Sequence, residues 1–138
     1  IEKKTFSLSK IESISIPAHV KQIEDGAFYN CNYLKRINFT DNSELCSIGK
    51  ETFLMTSLDG IIIPKLVRKI EKELFSLCFR LNSVEFLSDE IFLDEECFGQ
   101  CGKLFVSFPN AIKISINADL PNSLTLFVCP YLQIYINN

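Results

Sequence analysis

A skeleton of hydrophobic residues returns about every 23 residues along this chain, and no other feature of the sequence restricts its fold as strongly. Each unit contains a phenylalanine with an aliphatic residue five positions before it, and successive phenylalanines are 25, 22 and 23 residues apart. These pairs are Ile23 and Phe28, Ile48 and Phe53, Ile70 and Phe75, and Leu93 and Phe98. Self-similarity at this period is typical of a solenoid in which every repeat forms one turn.

Each unit also contains a leucine, or Ile11 in the incomplete first unit, followed by an alternating apolar pair, which predicts one short strand per turn. In "ESISIP", a period of 2 places Ile14 and Ile16 on the inner face and Ser13 and Ser15 on the outer face. The later pairs are Ile37 and Phe39, Ile61 and Ile63, Val84 and Phe86, and, one residue early, Val106 and Phe108. We expect these strands to stack in parallel as a concave sheet, with segments such as "GAFYNC" forming short helical or irregular turns on the convex side.

The repeat resembles the BspA-type leucine-rich repeat. "IPAHVKQIEDGAFYNCNYLKRINF" fits the pattern L-x-x-I-x-I-P-x-x-V-x-x-I-x-x-x-A-F-x-x-C nearly position for position, and the resemblance covers residues 8–109. The second unit is similar to the family's variant, in which Thr-Ser-Leu replaces the cysteine. We therefore predict a single domain over residues 1–138, a right-handed leucine-rich-repeat solenoid that is rich in β-structure and has about four turns.

The two ends of the chain depart from the full repeat. Residues 1–109 carry the repeats, and residues 110–138 are predicted to form a degenerate repeat or C-terminal cap, because a terminal repeat must cover the hydrophobic end of the stack. At the other end, "TFSLSKIESISIP" is only part of a unit. Either the N-terminal face of the solenoid is exposed, or further repeats precede Ile1 in the full-length protein.

The chain has six cysteines: Cys31, Cys46, Cys78, Cys97, Cys101 and Cys129. Three of them share one column of the repeat, which favours packing in the core as free thiols. Disulfides and a metal site are weaker alternatives, since a chain of 138 residues can build a core without staples and a single C-x3-C pair is poor support for a metal. We also expect convex positions to splay apart beyond the ~7 Å that a disulfide can bridge.

No group of residues indicates catalysis. His19 is the only histidine and lies in a polar loop, and carboxylate clusters such as residues 94–96 are interpreted as solvated faces. The five glycines form no phosphate-binding loop. We predict no enzymatic activity, no cofactor and no metal.

Charge and hydropathy limit the classes of partner. The net charge is -3, no run of Lys or Arg exceeds two, and no segment approaches the ~20 apolar residues that span a bilayer. These features argue against nucleic acid, anionic lipid and membrane insertion within this chain. A protein or a glycan remains as the expected partner, and the sequence does not fix the oligomeric state.

The outward residues of the strands are the predicted partner site: Ser13, Ser15, Arg36, Asn38, Gly60, Ile62, Ser83, Glu85, Phe105 and Ser107. Ile62 and Phe105 are candidate apolar anchors beside the charged Arg36. Two alternatives stay open, because Phe105 could pack under the C-terminal cap and Ile62 could support the stems of Arg36 or Glu85. The tripeptide Asn38-Phe39-Thr40 is an N-glycosylation sequon on the same face.

The resemblance implies a function in adhesion, because similar repeats occur in surface antigens of bacteria and parasitic protists. We predict a non-catalytic macromolecule-binding module at the cell surface or in the extracellular space. The alternative is a cytoplasmic scaffold or cytoskeletal interaction module. Six cysteines without evident partners, and the lack of an apolar leader in "IEKKTFSLSK", favour this alternative.

Overall fold

The computed structural model describes residues 1–117, 120–122, 124–128 and 133–136, which form a parallel β-solenoid without a helix in any of these ranges. Its strands are β1 (Ser13–Ile16), β2 (Gln22–Ile23), β3 (Arg36–Phe39), β4 (Ser47–Ile48), β5 (Gly60–Ile63), β6 (Lys69–Ile70), β7 (Ser83–Phe86), β8 (Glu90–Leu93), β9 (Leu104–Phe108), β10 (Lys113–Ile116), β11 (Leu124–Val128) and β12 (Gln133–Ile136). The prediction of a leucine-rich-repeat solenoid rich in β-structure is confirmed.

Each turn adds one strand to each of two sheets. The odd-numbered strands follow one another on one side as β1–β3 and β5–β7–β9–β11, and the Asp59 amide joins the two sections by donating to the Lys35 carbonyl at 3.2 Å. The even-numbered strands follow one another on the other side as β2–β4 and β6–β8–β10–β12. All strand pairs are parallel and align equivalent columns, such as Ile61 with Val84. The parallel stacking is as predicted, whereas the second sheet was not anticipated.

A ladder of stacked phenylalanine rings fills the core opposite the odd-numbered strands. Phe28, Phe53, Phe75 and Phe98 are fully buried, and the centroids of neighbouring rings lie 5.6–5.7 Å apart. Phe6 extends the ladder by stacking on Phe28 at 5.2 Å. The truncated first unit therefore contributes to the core, which the sequence analysis had not predicted.

The turns that carry these rings are irregular rather than helical. The residues two before and two after each ring have left-handed backbones, as at Gly26 and Asn30 around Phe28. Amides on these turns donate to carbonyls of the next turn, for example Phe75 to Cys97 at 2.8 Å. Because the main chain pairs between turns here as well, the left-handed conformations, which cost ~1–2 kcal/mol each for residues other than glycine, are held in place.

The C-terminal segment continues both sheets. β10, β11 and β12 pair in register with the preceding turns, with Leu126 opposite Val106 and Ile134 opposite Ile114. Leu124 and Leu126 are only partly buried, and Ile134 is exposed. The function of this segment as a cap stays a prediction, because residues 118–119, 123, 129–132 and 137–138 lie outside the described parts of the chain.

Candidate functional site

The side chains that point outward from the odd-numbered strands form the surface that we call the strand face. All ten predicted site residues lie on it, seven of them exposed and three (Gly60, Glu85 and Ser107) partly exposed. The register orders them into two columns. One column contains Gly60, Ser83 and Phe105, and the other begins with Ile62 and continues through Glu85 and Ser107.

A groove of about 850 Å³ runs along the strand face from Arg36 to Phe127. Eight of the ten predicted residues line it, and Ser13 and Ser15 on β1 do not. Residues from the loops that follow β3, β5, β7 and β9 form one wall, as Asp41 and Lys65 do. The strand side chains therefore form the floor of the groove, and the loops form a raised wall along one side of it.

Phe105 points out of the sheet and does not interrupt its register. It pairs with Ser83 on one side and Thr125 on the other, so the unit is shortened before β9 rather than within it. The Phe105 side chain is 40% exposed, its ring centroid lies 6.0 Å from that of Phe127, and the Lys103 ammonium lies 5.5 Å from its centroid. No described residue covers this aromatic pair as a cap would.

Phe127 is a groove residue that the sequence analysis missed. Its side chain is 55% exposed, and β11 pairs it with Ser107 in the second column. The alternation in "LTLFV" could have revealed it, because this strand matches "LFVSF" of β9 residue for residue.

Small residues keep the floor of the groove low in the middle, because little side chain stands above the sheet there. A Cβ atom at Gly60 would lie 2.6 Å from the Ser83 hydroxyl, so this position suits glycine as long as Ser83 keeps its rotamer. On the neighbouring strands, the Ser107 hydroxyl donates to the Glu85 carboxylate at 3.4 Å. The floor thus offers hydroxyl and carboxylate oxygens between the Arg36 end and the aromatic end.

Several cations pair with an acid on an adjacent turn, as Lys35 does with Glu12 at 3.9 Å and Arg80 with Asp59 at 3.2 Å. Within the described part of the chain, Arg36 makes no such ion pair. Its exposed guanidinium at the end of the groove is therefore available to an acidic group from outside.

The cysteines contribute to the core rather than to the groove. All five that are described are free, and only Cys46 among them is exposed; Cys129 lies outside the described residues. The shared column has a common contact, because Cys31, Cys78 and Cys101 each donate to the carbonyl of the preceding turn's phenylalanine at 2.9–3.0 Å. Burial raises the pKa of Cys97 and of Cys101 to about 12, so both thiols stay neutral near pH 7.

The expected splaying of the turns was wrong. Neighbouring rings of the ladder remain 5.6–5.7 Å apart, because main-chain hydrogen bonds join the turns at this side as they do in the sheets.

Other polar groups show no arrangement for chemistry in the described residues. His19 is exposed, and no group of three or more His, Cys, Asp or Glu residues is positioned to hold a metal there. Asp94 and Glu95 form ion pairs with Lys69 and Lys72 of the preceding turn. The sequon residue Asn38 is exposed and lines the groove. The described residues also contain no helix long and apolar enough to span a bilayer.

Comparison with known proteins agrees with this architecture. The family model of the BspA type leucine rich repeat region matches residues 1–123 in six copies, a wider range than the sequence resemblance covered. No curated protein matches the chain. Among solved structures, the crystal structure of a leucine rich cell surface protein from Faecalibacterium prausnitzii A2-165 is similar, with a TM-score of 0.66 and 23% identity. The likeness covers 83% of this chain and 34% of that one, so the chain spans about a third of that protein and shares its fold.

Proposed function

The chain belongs to the family of proteins built from BspA-type leucine-rich repeats, and we propose that it is a non-catalytic module that binds a macromolecule in the groove of the strand face. Solenoids present broad surfaces to other macromolecules. Here the groove spans five successive strands, from β3 to β11. The groove is therefore the part of this surface that we expect to contact the partner.

The observation that carries the proposal is the set of apolar side chains exposed in the groove. Ile62 and Phe127 are each 55% exposed and Phe105 is 40% exposed, although the core is otherwise well filled. Apolar and aromatic residues clustered in a concave, polar-rimmed site are typical hot spots of interfaces. The stacked turns below hold these side chains in place, so binding requires little ordering of the protein.

We place this activity at a cell surface, in adhesion or in contact with a host or matrix. The similar solved structure is that of a leucine rich cell surface protein, which supports this location. A cytoplasmic scaffold is the second candidate. The five free cysteines favour it, because secreted proteins commonly oxidise their thiols in pairs.

The test is affinity capture with the intact protein and with a triple variant, Arg36→Glu, Ile62→Ser and Phe105→Ser. We expect the variant to retain the circular dichroism spectrum of the wild type and to lose capture of its partner by more than about tenfold. Labelling of intact cells with a membrane-impermeant biotin reagent distinguishes the surface location from the cytoplasmic one.

A matched control makes the same three kinds of substitution away from the groove. Exposed residues on other parts of the solenoid serve for this purpose, and the control variant is Lys50→Glu, Leu8→Ser and Phe79→Ser. It changes the net charge by the same amount. Undiminished capture by the groove variant, or an equal loss in the control, would show that the groove is not the binding site.

A further inference from the structure

The two ends of the groove differ in chemistry and are separated by a definite length. Arg36 lies on β3, and Phe105 lies three strands further along the sheet on β9. Neighbouring strands are ~4.8 Å apart, so about 14 Å separates Arg36 from the Phe105 ring. An extended polypeptide advances ~3.3–3.6 Å per residue and would cover this distance in about four residues.

The groove between these ends fits a main chain. Gly60, Ser83 and Ser107 have little or no side chain above the sheet, which leaves room for backbone to lie close to the floor. Their neighbour Glu85 accepts a hydrogen bond from Ser107 and retains a second carboxylate oxygen for an amide of the occupant. Hydroxyl and carboxylate oxygens along the floor are suitable partners for peptide N–H groups.

Charge complementarity selects the group that binds at the Arg36 end. The Arg36 guanidinium is exposed and makes no ion pair within the described residues, in contrast to Arg80 and Arg68, which pair with acids of adjacent turns. A guanidinium presents a fixed fork of donors that matches a carboxylate. An acidic side chain is therefore the complementary group at this end.

The aromatic end favours an apolar side chain over a sugar ring. The ammonium of Lys103 already lies near the Phe105 ring, and the Phe127 ring leans against Phe105 at 33°. The two rings therefore do not lie in one plane, and their exposed surfaces form an angled apolar patch rather than a single flat platform. Ile62 adds aliphatic surface to the floor and offers no polar group for sugar hydroxyls.

We propose that the groove binds an extended polypeptide segment that places an Asp or Glu side chain against Arg36 and, about four residues away, an apolar side chain on Phe105 and Phe127. This inference rests on the proposed function and specifies the partner chemistry of the same site. Main-chain hydrogen bonds to the floor set the direction of the segment, and the two end groups set its specificity.

The experiment uses a phage library of random dodecapeptides selected on the immobilised intact protein. We expect enriched sequences to carry Asp or Glu about four residues from Leu, Ile, Val or Phe. Selection on Arg36→Glu should replace the acid by Lys or Arg and keep the apolar residue at the same spacing. Selection on the control Lys50→Glu should return the wild-type pattern.

One enriched peptide, synthesised with blocked ends and a fluorescent label, is titrated with each variant, and fluorescence anisotropy gives its dissociation constant. The Arg36→Glu substitution should weaken peptide binding by about 2–5-fold or more at low salt. The difference in affinity between wild type and variant should shrink as the salt concentration rises. Phe105→Ser should weaken binding about 10–30-fold, whereas Phe79→Ser should leave it unchanged.

Three results would overturn the inference. The first is that the peptides selected on the Arg36→Glu variant still carry the acidic residue. The second is that every peptide selected on the wild type also binds the triple groove variant. The third is groove-dependent binding to a glycan array without peptide enrichment, which would leave the proposed function standing and change only the partner. Capture that is insensitive to the triple variant would refute the proposed function as well.

Discussion

Truncation of one ring in the phenylalanine ladder tests the repeat assignment most directly. Phe75 is fully buried between Phe53 and Phe98, and both ring centroids lie 5.6 Å from its own. A buried Phe→Ala substitution costs ~3–5 kcal/mol, and the loss of two stacking contacts places Phe75→Ala toward the upper part of that range. A domain is stabilised by only ~5–15 kcal/mol, so this variant should lose a large share of its stability.

The cost of a Phe→Ala substitution should depend on the position of the ring in the ladder, which a general packing defect would not produce. Phe6 is partly buried and stacks on a single neighbour, so Phe6→Ala should cost about half as much as Phe75→Ala. Phe79 is 69% exposed and belongs to no ring stack, so Phe79→Ala should change the free energy of unfolding by less than about 0.5 kcal/mol.

Equilibrium unfolding in urea measures all three variants. Far-ultraviolet circular dichroism follows the sheets, and tyrosine fluorescence provides a second probe because the chain has no tryptophan. Since each turn contacts mainly its neighbours, a break at Phe75 could also split the unfolding curve into two transitions. A cost for Phe75→Ala no larger than that for Phe6→Ala would refute the ladder as the main source of stability.

Three further predictions concern other columns of the structure. Gly49→Ala should destabilise the fold by about 1–3 kcal/mol in urea titrations, since the new methyl group would lie 2.5 Å from the Asp25 amide nitrogen and 2.8 Å from its Cα; a cost below about 0.5 kcal/mol would be inconsistent with this packing. Burial raises the pKa of the Cys97 thiol to about 12, whereas an unfolded thiol has a pKa of ~8.5. The protonated Cys97 thiol therefore makes its full contribution to the free energy of unfolding below pH ~8.5. Between pH ~8.5 and about 12 this contribution falls by about 1.4 kcal/mol per pH unit, because only the unfolded chain loses the proton. Cys97→Ala should therefore lose less stability than the wild type between pH 7.5 and 10, and equal losses would contradict the assignment. An N-linked glycan on Asn38 would occupy the groove, so protein glycosylated in a eukaryotic secretory host should regain partner binding after enzymatic deglycosylation; equal binding before and after would place the partner elsewhere.

The sequence predicted the hydrophobic skeleton of the fold because each turn of a solenoid buries residues at the same positions of the repeat. Every turn must present an aliphatic pair to the sheet and a ring to the ladder, so the columns of Ile61 and Phe75 can be read without a structure. The second sheet was missed for a physical reason. Its first three strands, β2, β4 and β6, contain two residues with one inward isoleucine each, and so short a strand shows no alternation. Only from β8 onward do its strands reach four residues.

The candidate site was predicted less completely than the fold. The period of 2 identified the outward residues, but it could not show where loops would rise beside them. The groove begins at Arg36 on β3 and does not include Ser13 and Ser15 on β1. Phe127 was missed because β11 lies in the segment that departs from the repeat, although the alternation in "LTLFV" indicates that it points outward. Only the register of β11 against β9 places it beside Phe105.

The contrast between neighbouring columns explains how the proposed binding surface can lie outside the repeated hydrophobic skeleton. Equivalent positions on successive strands point inward at Ile61, Val84 and Val106, and all three are aliphatic because each must cover the one before it. The outward column one residue earlier holds Gly60, Ser83 and Phe105, three side chains with no property in common. Stacking limits that column only where two side chains meet, as at Gly60 beside the Ser83 hydroxyl, since its other side chains face solvent while the main chain pairs with the next turn. A solenoid can therefore change most of its outward residues without disturbing its core. For this reason we propose that the residues that break the small, polar character of the strand face specify its partner.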